Sequence, residues 1–167
     1  NDTTFIEHSP VSRRYVNAIL EFFPEARFVG IYRDPRAVFA SFKKVSWGPR
    51  SAGYFATWWK NAILETFAAK AMFPDEVELV SYESVLDNPD ETLTHLLDVM
   101  AMSKDASFSR DSVFSTTDYN RKQHSLVNAP IDPSRSVAWK SELKDSEIAI
   151  IEHHCSNVIS LLGYPLS

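Results

Sequence analysis

The run Phe28-Val29-Gly30-Ile31-Tyr32 stops at Arg33-Asp34-Pro35-Arg36, and residues of helical spacing follow to about Lys44. Such a short, β-prone segment without polar alternation reads as a buried strand of a parallel sheet. A second strand is expected over Glu78–Tyr82, where Leu79, Val80 and Tyr82 precede Glu83. Thr3–Glu7 is a third, shorter candidate. Between and after these segments the apolar spacing turns helical. Arg13–Phe23 carries Tyr15, Val16, Ile19, Leu20 and Phe23, and Gly53–Met72 is the longest helical stretch. Asn88-Pro89-Asp90-Glu91 supplies an N-cap residue, a proline at N1 and first-turn acids ahead of Leu93, Leu96, Leu97 and Met100. Ile148, Ile151, Cys155, Val158, Ile159 and Leu162 mark a last helix, with Gly163 as its C′ residue. Residues 102–138 are polar and irregular. Strands alternating with helices predict a single α/β domain over residues 1–167, three layers (α/β/α) around a mostly parallel sheet. Ligands of such sheets bind beyond the carboxyl ends of the strands, where Arg33 and Glu7 are expected.

Composition narrows the function classes. Hydrophobic residues are 44% and aromatic residues 13% of 167, which excludes a disordered chain. The net charge of −5 argues against a nucleic-acid binder, which needs a basic footprint. Residues 1–50 nevertheless hold 8 basic and 5 acidic side chains, against 9 and 17 in the remainder, a basic island suited to a small anion. The four glycines (Gly30, Gly48, Gly53, Gly163) are too scattered for a dinucleotide fingerprint or a P-loop. Cys155 is the only cysteine, so no internal disulfide forms, and a reducing, cytoplasmic location is expected. No apolar run reaches the ~18 residues of a membrane span. The first residue is Asn1 rather than Met, as expected of a fragment or a processed chain.

Arg33 follows the buried strand, and Ser41 lies eight residues later on the next helix. A guanidinium fork, a hydroxyl and a helix N-terminus together suit an oxyanion. The same residues also fit a cap between Arg33 and Asp34, with Ser41 bonded back to its own helix. The stretch from Phe28 to Ser41 resembles the 3′-phosphate-binding segment of PAPS-dependent sulfotransferases: strand, Arg, a DPR-like turn, then Ser eight residues after the Arg. Three further segments resemble that family in the same order. Phe5-Ile6-Glu7-His8-Ser9-Pro10 is similar to the E-K-[ST]-P element of its bacterial and glycan-type members. Val80 to Leu86 with Asn88-Pro89 is similar to their YEdL…dP segment, and Ser134 to Lys140 with Leu162-Gly163-Tyr164 to their SRxxxWk…LGY element.

The resemblance implies a P-loop NTPase-like α/β fold and 3′-phosphoadenosine-5′-phosphosulfate (PAPS) as co-substrate, with no metal. It implies that Arg33 and Ser41 hold the 3′-phosphate, with Arg135 as a second clamp. It places Glu7 where the family has its catalytic glutamate, and His8 where the family has Lys. Either is a candidate general base for a hydroxyl or amine acceptor on a small molecule, lipid or glycan. Pairing of Glu7 with Arg13 or Arg14, and a structural role for His8, are the alternatives. The loop that holds the 5′-phosphosulfate in this family is not found in residues 1–30, so it is expected upstream, and the chain alone is expected to turn over little. Arg36 is expected to face solvent or Asp34, Trp139 to stack near adenine or to lie in the core, and one of Trp58 and Trp59 to be buried. The neighbours His153 and His154 lack a third ligand for metal. A nucleotide kinase, with Asp34 handling Mg²⁺, and a non-catalytic nucleotide-binding relative are the competing functions.

Overall fold

A computed structural model describes residues 5–102 and 130–167. Two parallel strands, β1 (Phe28–Tyr32) and β2 (Val77–Ser81), pair in register, Phe28 opposite Val77 and Tyr32 opposite Ser81. Both strands therefore end at the same edge, with Arg33 and Tyr82 the first residues beyond it.

The connection from β1 to β2 runs through α2 (Pro35–Phe42) and α3 (Ala52–Met72), after α1 (Val16–Phe22) has preceded β1. Asp34 caps α2 by accepting the Arg36 N–H at 2.8 Å, and Pro35 takes the first helical position, where a missing N–H costs nothing. Ser51 caps α3 through the Tyr54 N–H. Along α3 the buried residues Ala52, Phe55, Ala56, Trp59 and Ile63 form one stripe. Ile151, Cys155, Val158 and Ile159 of the last helix pack against it. Of the two adjacent tryptophans, Trp59 is buried, while Trp58 turns outward against Phe42.

After β2 come α4 (Tyr82–Asp87) and α5 (Pro89–Val99). Tyr82, expected to close the strand, instead opens α4; Ser81 starts this helix by accepting the Ser84 N–H at 3.0 Å. Asn88 stands at the N-cap position of α5 without a side-chain hydrogen bond, so Pro89 and the acids Asp90 and Glu91 do the starting. The C-terminal region has a 3₁₀ turn at Pro133–Ser136, a short α6 (Trp139–Glu142) and α7 (Asp145–Leu161). Gly163, at φ +80°, closes α7 as a Schellman motif, with Gly163 N–H on Ser160 O and Tyr164 N–H on Ile159 O.

Two sequence expectations change at this level. The described residues Phe5–Ser9 are irregular, and Phe5 and Ile6 are 86% and 75% exposed, with no strand beside them among the described residues. Thr3 lies outside the described residues, as does most of the stretch expected to be irregular over 102–138. The helix expected over Arg13–Phe23 is split into a 3₁₀ turn (Ser12–Arg14) and α1, parted at Tyr15. The described sheet has two parallel strands with helices against it, consistent with the expected α/β class. Gly30 lets Thr66 of α3 approach one face, since a Cβ there would meet Thr66 Cγ2 at 2.9 Å, whereas Ile31 on the opposite face is 64% exposed. Among the described residues no helix is long and apolar enough to cross a membrane.

Candidate anion-binding site

Beyond the carboxyl end of β1, Ala37, Ala40 and Ser41 of α2 face the 3₁₀ turn and α6 across a narrow cleft. Arg33, Ser41, Lys44, Arg135, Trp139 and Glu142 are among the residues that line it. Three residues singled out from the sequence, Arg33, Ser41 and Arg135, thus meet, although Arg135 is separated from Arg33 by 102 residues. The inner space is about 10 Å³, close to the room one water needs.

Arg33 is held on two sides. Its Nη2 donates to the Arg135 carbonyl at 2.7 Å, and its guanidinium carbon stands 4.1 Å over the Tyr82 ring. Its Nε is buried and has no hydrogen-bond partner, alone in this among the buried side-chain nitrogens and oxygens of the described residues. Burial pulls the guanidinium below its ordinary pKa, against the favourable fields of Tyr82 and Glu83. A cation with an unsatisfied buried donor is stabilised by an incoming anion. Ser41 also lacks a partner: no hydrogen bond from its hydroxyl is present among the described residues. The contrast lies on α3, where Thr57 and Thr66 bond back to Gly53 O and Ala62 O. The self-satisfied alternative for Ser41 is therefore not the one adopted.

Arg36 does not face solvent. It is 1% exposed and grips Asp34 through Nε and Nη2, Glu152 through Nη1 at 2.5 Å, and the Pro165 carbonyl through Nη2 at 2.8 Å. Burial works against its charge, but the Asp34 and Glu152 carboxylates outweigh this and raise its pKa. Its guanidinium lies on Trp139, which is 4% exposed and so belongs to the core rather than to an open stacking surface. Asp34, 4% exposed and taken by Arg36, is not free to handle Mg²⁺ as a kinase would require.

Glu83 joins three of the sequence segments. It accepts the Asp34 N–H at 3.4 Å on one oxygen and the Tyr164 hydroxyl at 2.7 Å on the other. The Schellman turn at Gly163 is what aims Tyr164 there. Burial first, and then the Glu83 carboxylate, push the Tyr164 hydroxyl well above its ordinary pKa, so it stays a donor.

Glu7 and His8 lie elsewhere. Both are exposed, and neither lines the cleft. Glu7 accepts the Ser12 hydroxyl at 2.9 Å, while Arg13 and Arg14, its suggested partners, both bond Glu65 of α3. His153 and His154 contact only each other as rings, 5.4 Å apart, and among the described residues no group of three His, Cys, Asp or Glu is placed to hold a metal. Sequence reasoning missed Lys44 and Glu142 at the cleft. Lys44 lies three residues after Ser41, in the turn that follows α2, and that spacing in a stretch expected to be helical to about Lys44 was available as a signal.

The sequence model of the Sulfotransferase family matches residues 1–105, which include β1, the turn at Arg33 and Ser41. Arg135 and Tyr164 fall outside the match and reach the site through the fold. No curated protein matches the chain.

Proposed function

The chain belongs to the sulfotransferase family, and from that premise we propose that its cleft binds the 3′-phosphate of PAPS, for transfer of the sulfuryl group to a hydroxyl or amine acceptor. The observation that carries this reading is the pairing of an unsatisfied Arg33 Nε with a free Ser41 hydroxyl in one cleft with Arg135. Two guanidiniums and a hydroxyl supply donors to the three oxygens of a phosphate monoester, whose charge is roughly −1.5 to −2 at pH 7.

Sulfuryl transfer needs positioning and charge stabilisation more than covalent catalysis. The acceptor oxygen or nitrogen forms a bond to sulfur as the bond from sulfur to the 5′-phosphate oxygen breaks. The acceptor proton passes to a base, and adenosine 3′,5′-bisphosphate leaves. Glu7 or His8 is the proposed base, each exposed and therefore open to an acceptor molecule. A small molecule, lipid or glycan is the acceptor class proposed.

Isothermal titration of the chain with adenosine 3′,5′-bisphosphate, 5′-AMP and ATP with Mg²⁺ tests the cofactor. The bisphosphate is expected to bind at least about tenfold tighter than 5′-AMP, the size of one good charge-assisted contact. Arg33→Lys, which keeps the charge and loses the fork, and Ser41→Ala should each erode that preference. Equal binding of the bisphosphate and 5′-AMP, or preference for ATP with Mg²⁺, overturns the reading.

A further inference from the structure

Among the described residues that line the cleft there is one acidic side chain, Glu142, and it is engaged. Lys44 Nζ bonds Glu142 Oε1 at 2.6 Å, an ion pair across the mouth from the turn after α2 to α6, with side chains 50% and 30% exposed. We infer that Lys44 is a third cationic contact for the 3′-phosphate, held in reserve by Glu142, and that the incoming phosphate displaces Glu142 from it. This rests on the reading of the cleft as a 3′-phosphate site.

Two observations carry it. The first is space: the inner cleft, about 10 Å³, has room for roughly one water, so a phosphate that reaches its floor needs a wall to yield. Arg33 is fixed by the Arg135 carbonyl and by Tyr82, and Trp139 is packed in the core under Arg36. The Lys44–Glu142 pair is the exposed part of the wall, and exposed ion pairs are weak. Opening it therefore costs little. The second is charge. Arg33, Lys44 and Arg135 against Glu142 leave a net charge of two positive in the cleft, which balances a phosphate dianion. A monoanion, or a ribose hydroxyl in the same place, has less with which to displace a carboxylate. Glu142 thus acts as a threshold that favours a full phosphate over weaker anions.

Titration with adenosine 3′,5′-bisphosphate tests this on Lys44→Ala, Glu142→Gln and the double variant, with 5′-AMP as control. Lys44→Ala should weaken the bisphosphate by about fivefold or more, as loss of one exposed charged contact does, and leave 5′-AMP unchanged. Glu142→Gln should tighten the bisphosphate by about threefold, since a competing charge has gone. The double variant should behave as Lys44→Ala, because Glu142 acts through Lys44. Neither side chain is buried in the core, and circular dichroism checks that each variant is folded. Binding by Lys44→Ala within twofold of the unmodified chain, an equal loss for 5′-AMP, or weaker binding by Glu142→Gln overturns the inference. If the unmodified chain itself does not prefer the bisphosphate, the 3′-phosphate reading fails and this inference with it. If Arg33→Lys loses the preference while Lys44→Ala keeps it, only this inference fails.

Discussion

The guanidinium carbon of Arg36 lies 4.0 Å from the centre of the Trp139 ring, with both side chains sealed from solvent. Arg36 is near the start of α2 and Trp139 begins α6, so this stack joins the two walls of the anion cleft from beneath. Asp34, Glu152 and the Pro165 carbonyl surround the same guanidinium and tie the end of the chain to the turn after β1.

Replacing Arg36 by Met keeps much of the volume but leaves Asp34 buried without its counter-ion. Breaking one side of a buried pair costs about 3–5 kcal/mol, and urea unfolding should show a loss of that size for Arg36→Met. A loss below about 1 kcal/mol, the worth of an exposed pair, would mean that the cluster is solvated.

The Tyr164 hydroxyl is a smaller tie between the last helix and the strand ends. Tyr164→Phe leaves one Glu83 oxygen without its donor, which should cost about 1–2 kcal/mol in the same experiment. Adding Glu83→Gln to the Tyr164→Phe variant tests the pairing: the two substitutions together should cost less than the sum of each alone.

Alkaline pH should act through Cys155. It is fully buried, its Sγ donates to Ala56 O at 3.4 Å, and burial raises its pKa from 9.0 to about 11. Because the folded value is the higher one, its contribution to stability is whole below about pH 9 and is lost as pH climbs through about 11. The loss amounts to about 2–3 kcal/mol, part of the alkaline fall in melting temperature. Cys155→Ala should flatten that part of the pH profile, and iodoacetamide at pH 8 should label the folded unmodified chain far more slowly than the unfolded one.

At the end of α5, Ala101 has φ +52°, with its N–H on Asp98 O and the Met102 N–H on Leu97 O. The left-handed conformation costs a Cβ-bearing residue about 1 kcal/mol, a cost glycine escapes. Ala101→Gly should therefore raise stability by about 0.5–1 kcal/mol, seen as a higher melting temperature. An unchanged or lower value would show that the added freedom of the unfolded chain outweighs the relief.

Local signals in the sequence are legible where one segment decides its own structure. The β1 strand, the Pro35 helix start and the Gly163 helix end each depend on residues within a turn of one another. Pairing at a distance is not legible. Arg36 reads as facing solvent or Asp34, and the Asp34 pairing is the one found, but Glu152, Pro165 and Trp139 are far along the chain, and nothing local announces them. Likewise, the apolar residues Phe5 and Ile6 promise a strand, but strands form only against a neighbour, and none stands beside them among the described residues. The site is legible as separate pieces, Arg33 with Ser41 and Arg135 by resemblance. That Lys44 and Glu142 complete its wall depends on how α2 meets α6.

The hydrogen bond from Arg33 to the Arg135 carbonyl spans 102 residues. A ribosome that has just released β1 and α2 has made the arginine and the serine but not the opposite wall. Binding at the proposed 3′-phosphate site would thus be among the last properties the chain acquires as it folds. A ligand held there clasps early and late segments together, so it should slow global unfolding and protect both ends of that span from proteases at once.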